Sequence, residues 1–345
     1  ARSPALVVTN AGNDAPLAGA KILTAGHPVP DAAGKAAAKA VEQALREASP
    51  GDRVLALISG GASAMLPAPA PGISLADKQE VSRLLLAAGA DIGQMNLLRQ
   101  ALSRLKGGGW LRVSGAPITA LILSDVPGDD MRIVASGPTA TPLGTRDDAA
   151  ELARALGLWD RLPQPVRNLL EAPAPPRSDA AAARNILVGG NAQSVRAICE
   201  AGAAPGPELY GDVADCAARL LAAARDVPPG GAIAMGGETT VILRGDGIGG
   251  RNQELALRFA LAAEDLPGDW ALAAIGSDGR DGPGDAAGGL VTQRTIARIR
   301  DTGIDPAESL RRNDSGPALE AGGALVKTGA TGTNVADFAV FVRKS

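Results

Sequence analysis

Val54-Leu55-Ala56-Leu57-Ile58-Ser59-Gly60-Gly61-Ala62-Ser63 decides the fold class. A short apolar run, too brief for an ordinary helix, stops at a cluster of Ser and Gly; a buried strand enters a tight βα turn in this way. The pattern recurs at residues 118–124, which run into Asp125-Val126-Pro127-Gly128-Asp129-Asp130. Working outward, residues 5–9, 21–25, 186–189, 233–235, 240–244 and 271–275 are the other expected strands, with a final apolar strand near the C-terminus. Residues 34–48, 75–88, 96–105, 147–156, 192–201, 213–225 and 251–263 have helical composition and periodicity. Strands alternating with helices indicate an α/β chain built on a parallel sheet. Residues 171–183, rich in Pro and Ala, are the expected linker, giving domains at 1–178 and 184–345.

Composition narrows the function. Among 345 residues, aromatics are only 2%, so base-stacking recognition of single-stranded nucleic acid lacks its platforms. The net charge of −3 provides no basic footprint for nucleic acid either. Cys199 and Cys216 form no CxxC pair, and His27 is the single histidine, which excludes a His-based zinc site and makes a His-based triad fit worse than phosphoryl transfer. No apolar run reaches the length of a membrane span, and no signal-peptide pattern opens the sequence. The expectation is a soluble, cytoplasmic protein with no nucleic-acid or membrane partner.

What remains is a set of glycine-bearing polar loops at strand ends, where open α/β sheets bind ligands. Ser59, Gly60, Gly61 and Ser63 suit an anion cradle of backbone N–H and hydroxyl donors, and equally a plain βα turn. Asn96 is an expected helix cap, placing Arg99, Ser103 and Lys106 along one helix face; this cationic stripe suits phosphate or carboxylate, or a solvated surface. Asp125 and Asp129 suit Mg²⁺, with Asp125 alternatively taking a hydroxyl proton. Ser136-Gly137 forms a further polar loop. Gly236-Gly237-Glu238-Thr239 reads as another, and residues 245–254 contain GxGxxG at Gly245, Gly247 and Gly250, with Arg251, Asn252 and Glu254 opening the next helix. Asp278 and Asp281 form a second acidic pair, and Thr331 and Asn334 lie in a Thr/Gly loop before the last strand. Carboxylates, cations and hydroxyls without a usable His or Cys fit phosphoryl transfer, which needs positioning and charge more than covalent chemistry. A Walker A loop is absent.

In family order across nearly the whole chain stand GHPVPD (26–31), SGGASAMLPAP (59–69), ADIGQMNLLRQALSRLKGG (90–108), LILSDVPGDD (121–130) and ASGPT (135–139). They are followed by GGETTV (236–241), GGRNQE (249–254), SDGRDGP (277–283), NDS (313–315) and TGATGTNVAD (328–337). With these stretches the chain resembles the MOFRL-type glycerate 2-kinases. The resemblance implies a Rossmann-like N-terminal domain, a smaller C-terminal α/β domain of MOFRL type, and an active site in the cleft between them. It implies transfer of phosphate from ATP, with Mg²⁺, to the 2-hydroxyl of D-glycerate, with closure over substrate and room for a homodimer. Arg251, Asp125 and Lys106 are the implied catalytic groups. Ser59, Gly60, Gly61, Ser63, Asn96, Arg99, Ser136, Gly137, Glu238, Asn252, Glu254, Thr331 and Asn334 are the implied binding residues, and Asp125, Asp129, Asp278 and Asp281 the implied metal ligands.

The family's first strand–helix unit, with its GKAA-type lysine, has no counterpart ahead of residue 5. Gly34-Lys35-Ala36-Ala37 aligns with an ordinary surface helix, so no catalytic role passes to Lys35. Two other readings stay open: an NAD(P)H-dependent hydroxypyruvate reductase using the GxGxxG, and a non-catalytic binder of nucleotide or sugar acid. His27 is read as structural.

Overall fold

The computed structural model describes residues 5–173 and 183–345, so most of the expected linker at 171–183 lies outside it. The strands are β1 (Ala5–Thr9), β2 (Ala20–Thr24), β3 (Val54–Ile58), β4 (Ile118–Leu123), β5 (Ala183–Gly189), β6 (Ala204–Pro205), β7 (Leu209–Asp212), β8 (Ala232–Thr240), β9 (Trp270–Gly276), β10 (Gly288–Thr292), β11 (Leu325–Val326) and β12 (Asp337–Arg343). The chain divides into two compact units, Ala1–Ser124 with Asp129–Val188 and Asp125–Gly128 with Gly189–Ser345.

In the first unit β3 pairs in parallel with β4, and β5 continues that sheet, while β1 and β2 form a separate parallel pair. Helices cover the apolar positions. Leu84 and Leu85 of the helix Leu75–Ala87 and Leu98 of the helix Ile92–Ala101 close a core with Val166 and Leu170. The helix Ile92–Ala101 differs from expectation at both ends. Asp91, paired with Gln94 in a capping box, starts it, because Asp91 Oδ1 accepts from Gln94 N at 2.8 Å while Gln94 Oε1 accepts from Asp91 N. Asn96 is therefore a buried residue of the second turn, not a cap. The helix stops at Ala101, so Ser103 and Lys106 lie on the following segment, and the continuous cationic stripe does not form.

The second unit departs from a purely parallel sheet. Its seven strands run β11-β10-β9-β12-β8-β6, with β7 also on β8. Strand β12 is antiparallel to both β8 and β9, and β10 is antiparallel to β9, while β6 and β7 are parallel to β8. The GGET stretch read as a loop is part of β8, which runs unbroken from Ala232 to Thr240; residues 241–244, an expected strand, follow it without regular structure. Glycine misled the reading. Gly237, at φ 146°, packs against the Leu209 backbone, where a Cβ would come within 2.6 Å of the Leu209 carbonyl oxygen. The helix Arg251–Ala262 packs on this sheet through Leu255, Leu257 and Phe259, with Phe259 edge-on to Trp270 at a centroid distance of 5.4 Å.

Candidate active site

The antiparallel insertion of β12 between β8 and β9 gathers one polar cluster in the second unit. Asp337, the first residue of β12, lies beside Gly237 on one neighbour and Gly276 on the other. Glu238 of β8 and the Ser277-Asp278 turn after β9 therefore stand at the same sheet end. The helix Arg251–Ala262 delivers Arg251 there at its first position. The Arg251 guanidinium donates to Asp337 through Nε at 2.5 Å and Nη2 at 3.0 Å, and its Nη1 lies 2.7 Å from Glu238 Oε1. The Asp337 side chain is 2% exposed, whereas that of Arg251 is 35% and that of Glu238 43% exposed. The buried partner orients the arginine, and the rest of the fork faces outward, the arrangement expected of a cation that meets a ligand.

Charge in this cluster is unbalanced. Burial pushes the Glu238 carboxyl above its usual value. Arg251 opposes the rise, while Asp337, Asp125 and Asp278 add to it. Among the strongest influences on Glu238, three carboxylates act against one cation. For Arg251 desolvation works against its charge, but Asp337, with Glu238 and Asp281, outweighs that and holds the guanidinium firmly protonated.

The Thr/Gly loop closes over the same place. Thr331 Oγ1 donates to the Ser277 carbonyl at 2.5 Å, Val335 N to Ser277 Oγ, and Ala336 N to Asn334 Oδ1. Asn334 Nδ2 lies 3.5 Å from Asp125 Oδ2, which ties in the carboxylate that follows the end of β4. Ala336, immediately before Asp337, holds φ at 63°, left-handed backbone that a non-glycine residue adopts only under constraint from its surroundings.

Three expected site residues are structural instead. The oxygens of Asp281 accept from Asn252 N (3.0 Å), Gln253 N (2.8 Å), Asn252 Nδ2 and Gln253 Nε2, so Asp281 satisfies the orphan donors at the start of the helix Arg251–Ala262. Asn252 is spent on that contact, and Glu254 pairs with Arg258 and accepts from Asn313. Among the described residues no three carboxylate, His or Cys side chains converge as a metal-binding group. Mg²⁺ nevertheless fits what is present. Within the second unit, the carboxylates of Asp125, Asp278 and Asp337 act on Glu238 and favour a cation there. Mg²⁺ needs only one or two carboxylates beside substrate phosphates.

In the first unit a second polar assembly forms. Lys106, 4% exposed, donates from Nζ to the Ser63 carbonyl at 2.7 Å and contacts Ser63 Oγ at 2.5 Å and Ser136 Oγ at 3.3 Å. Ser136 Oγ donates to Asn96 Oδ1 at 2.6 Å, and Asn96 Nδ2 to the Ile92 carbonyl. Ala135, Ser136 and Gly137 all hold positive φ, which turns Ser136 inward; Gly137 N returns to the Val134 carbonyl. Ser59 is exposed at the end of β3, and Gly60 and Gly61 lead into the short helix that carries Ser63.

Two family models match the chain. Residues 2–171 match the domain of unknown function DUF4147, and residues 231–337 match the MOFRL family. The D-glycerate 2-kinase of Thermotoga maritima is 37% identical over 97% of this chain and 83% of its own length. The chain belongs to the glycerate kinase family. The crystal structure of the Thermotoga maritima glycerate kinase superposes with a TM-score of 0.86 at 34% identity, covering 99% of this chain and 85% of that one. A glycerate 2-kinase of Pyrococcus horikoshii is 34% identical over 96% of this chain and 79% of its own length. The glycerate kinase family also includes an Agrobacterium vitis protein bearing a hydroxypyruvate reductase name, 40% identical over 96% of this chain and 79% of its own length. Among the described residues no helix is long and apolar enough to cross a membrane.

The GxGxxG that would favour a reductase serves another purpose. A Cβ on Gly245 would lie 2.5 Å from the Arg312 carbonyl oxygen, one on Gly247 2.5 Å from the Asp314 Cβ, and one on Gly250 2.3 Å from Asp281. The backbone N–H groups of Arg244 and Gly245 donate to Asn313 Oδ1, and that of Ile248 to Asp314 Oδ1. In a dinucleotide fingerprint such glycines admit a pyrophosphate; here Gly245 and Gly247 admit the chain's own Arg312–Asp314 segment, and Gly250 admits Asp281.

Two residues escaped the sequence reading. Asp337 closes the TGATGTNVAD stretch, but its role depends on which strands flank β12. Lys78 lies in an otherwise ordinary amphipathic helix, and no local pattern marks it.

Proposed function

We propose that this chain is a D-glycerate 2-kinase, transferring the γ-phosphoryl group of ATP to the 2-hydroxyl of D-glycerate. The carrying observation is the half-exposed Arg251 guanidinium, anchored on buried Asp337 and flanked by Glu238. Phosphoryl transfer proceeds mainly by positioning and charge stabilisation, and a preorganised arginine aimed at the transferring group supplies both. Glu238 is fitted to accept the hydroxyl proton, because its raised carboxyl binds a proton more readily than an ordinary glutamate and Arg251 fixes its position. Asp125 and Asp278 are the carboxylates suited to hold Mg²⁺ together with phosphate oxygens; the ion would neutralise charge between the phosphates. Asn334 orients Asp125, and Thr331 holds the Ser277 turn that carries Asp278.

The reading draws on both units, a kinase N-terminal domain through residue 178 and a MOFRL-type domain from 184. In the first, Lys106, Ser63, Ser136, Asn96 and Arg99 bind substrate or nucleotide, with the Ser59-Gly60-Gly61 turn beside them. The reductase reading loses its cofactor site to the contacts that Gly245, Gly247 and Gly250 make with Arg312, Asp314 and Asp281. The test is a paired assay on the full chain: ADP release from ATP, Mg²⁺ and D-glycerate, beside NADH oxidation with hydroxypyruvate. ADP release alone is expected, and NADH oxidation alone overturns the kinase.

A further inference from the structure

Lys106 is nearly inaccessible and has no acid beside it. The charges that act on it are Lys78 and Arg99, both cations; burial first, and then these two, push its ammonium well below the usual lysine value. Lys78 is held in the same way: burial, then Arg99 and Arg104, push it down to about 7. Of these cations Arg104 alone is neutralised, by Glu42 at 2.8 Å. Lys78, Arg99 and Lys106 have no ion pair among the described residues.

Their positions are set by the fold. Lys78, from the helix Leu75–Ala87, reaches the Leu102 carbonyl at 3.5 Å, just past the C-terminus of the helix Ile92–Ala101. Arg99 sits in the last turn of that helix, one turn after Asn96. Asn96 ends the chain Lys106–Ser136–Asn96, so Arg99 stands one helical turn from that assembly, and Lys78 and Arg99 both lie close enough to act on Lys106. A helix C-terminus offers them about half a negative charge, so charging all three would leave most of that charge unanswered. Burying uncompensated charge is costly, and the usual remedy is a partner of opposite sign.

We propose that Lys78, Arg99 and Lys106 form an anion subsite that takes a phosphate group. A carboxylate would balance one of the three cations, whereas a phosphate carries up to two charges and enough acceptor oxygens for the Arg99 fork and the Lys78 ammonium. Lys106 spends its donors on Ser63 and Ser136, so it acts as a fixed field and holds the Ser63 hydroxyl, half-exposed, at the edge of the subsite. The inference names the ligand class of a site that the kinase reading uses, and rests on that reading only for the source of the phosphate, nucleotide or phosphorylated acid.

The experiment is calorimetric titration of the full chain with inorganic phosphate at constant ionic strength, acetate being the monoanion control. Lys78→Met and Arg99→Met keep their apolar stems and are compared with the parent by circular dichroism. The parent is expected to bind phosphate saturably and acetate at least tenfold more weakly, and each variant to lose at least tenfold in phosphate affinity. No saturable binding, equal binding of acetate, or variants within twofold of the parent overturns the subsite. Parallel titrations with ADP and with 2-phosphoglycerate identify the source, as the ligand whose affinity falls in Lys78→Met. ADP release by the parent beside unchanged phosphate binding in the variants sinks the subsite and spares the kinase. Variant-sensitive phosphate binding without ADP release does the reverse.

Discussion

Replacing Arg251 with methionine removes the guanidinium while keeping much of its apolar length. It leaves Asp337, 2% exposed and flanked by two strands, without the donors at 2.5 and 3.0 Å that satisfy both its oxygens. Removing one partner of a buried pair costs about 3–5 kcal/mol, because the remaining charge stays desolvated. Arg251 is itself about one-third exposed, so water reaches the gap, and the lower end, about 3 kcal/mol, is expected. For a unit of this size that corresponds to a fall of roughly 6–12 °C in its melting temperature. Calorimetry, which resolves the two units if they melt separately, is the assay. Adding Asp337→Asn to Arg251→Met removes the stranded charge and is expected to recover at least 1 kcal/mol or so of the loss. The activity arm is separate: ADP release is expected to fall roughly 10³-fold or more, the scale of arginines that stabilise a transferring phosphoryl group. A single variant within about 0.5 kcal/mol of the parent, or a double variant no more stable than Arg251→Met, refutes the buried-anchor reasoning.

Asp281→Ala is expected to cost about 1–3 kcal/mol in urea denaturation by orphaning the N–H groups of Asn252 and Gln253, with the Mg²⁺ dependence of ADP release unchanged; a shifted Mg²⁺ requirement would return Asp281 to the metal site. Gly250→Ala places a Cβ 2.3 Å from the Asp281 carboxylate and should cost about 1–3 kcal/mol, read in the same melts, whereas a loss of NADH binding without loss of stability would revive the dinucleotide fingerprint. The rate of ADP release should climb with pH through the raised Glu238 carboxyl, since the base form is the one that accepts a proton, and Glu238→Gln should erase that limb; a limb that persists in Glu238→Gln assigns the base elsewhere. Lys78 binds its proton less tightly folded, at about 7, than unfolded, at the usual lysine value of 10.5. Stability should therefore rise with pH between those values, the penalty being complete below the first and gone above the second. The rise should flatten in Lys78→Met, as followed by urea midpoints at pH 7 and 9.

Much of this molecule is legible in its residues one stretch at a time. An apolar run stopped by Ser-Gly-Gly is a strand entering a turn, because five apolar residues can be buried in a sheet but make less than two turns of helix. Strands β1, β3 and β4 and the helices Leu75–Ala87, Val213–Arg225 and Arg251–Ala262 follow from such local signals, as does the family, whose motifs are contiguous. Arg251, Glu238, Asn334 and Lys106 could be named as candidates because each lies in a short polar stretch beside glycine.

Their partners could not, since pairing is a property of topology. That Asp337 anchors Arg251 depends on β12 lying antiparallel between β8 and β9, a choice made by strand register across about a hundred residues of sequence. That Gly245 and Gly247 accommodate the Arg312–Asp314 segment and Gly250 accommodates Asp281, and not a pyrophosphate, depends on which part of the chain approaches them. Asn96 has the residue type that favours a cap; the Asp91–Gln94 box starts the helix earlier, which places Asn96 inside it, where it meets Ser136. The sequence alone determined which residues carry charge and where strands and helices tend to form, because those preferences act over a few residues. Only the tertiary structure decided which charges are paired and which stand uncompensated, because burial and electrostatic interaction depend on distance in space.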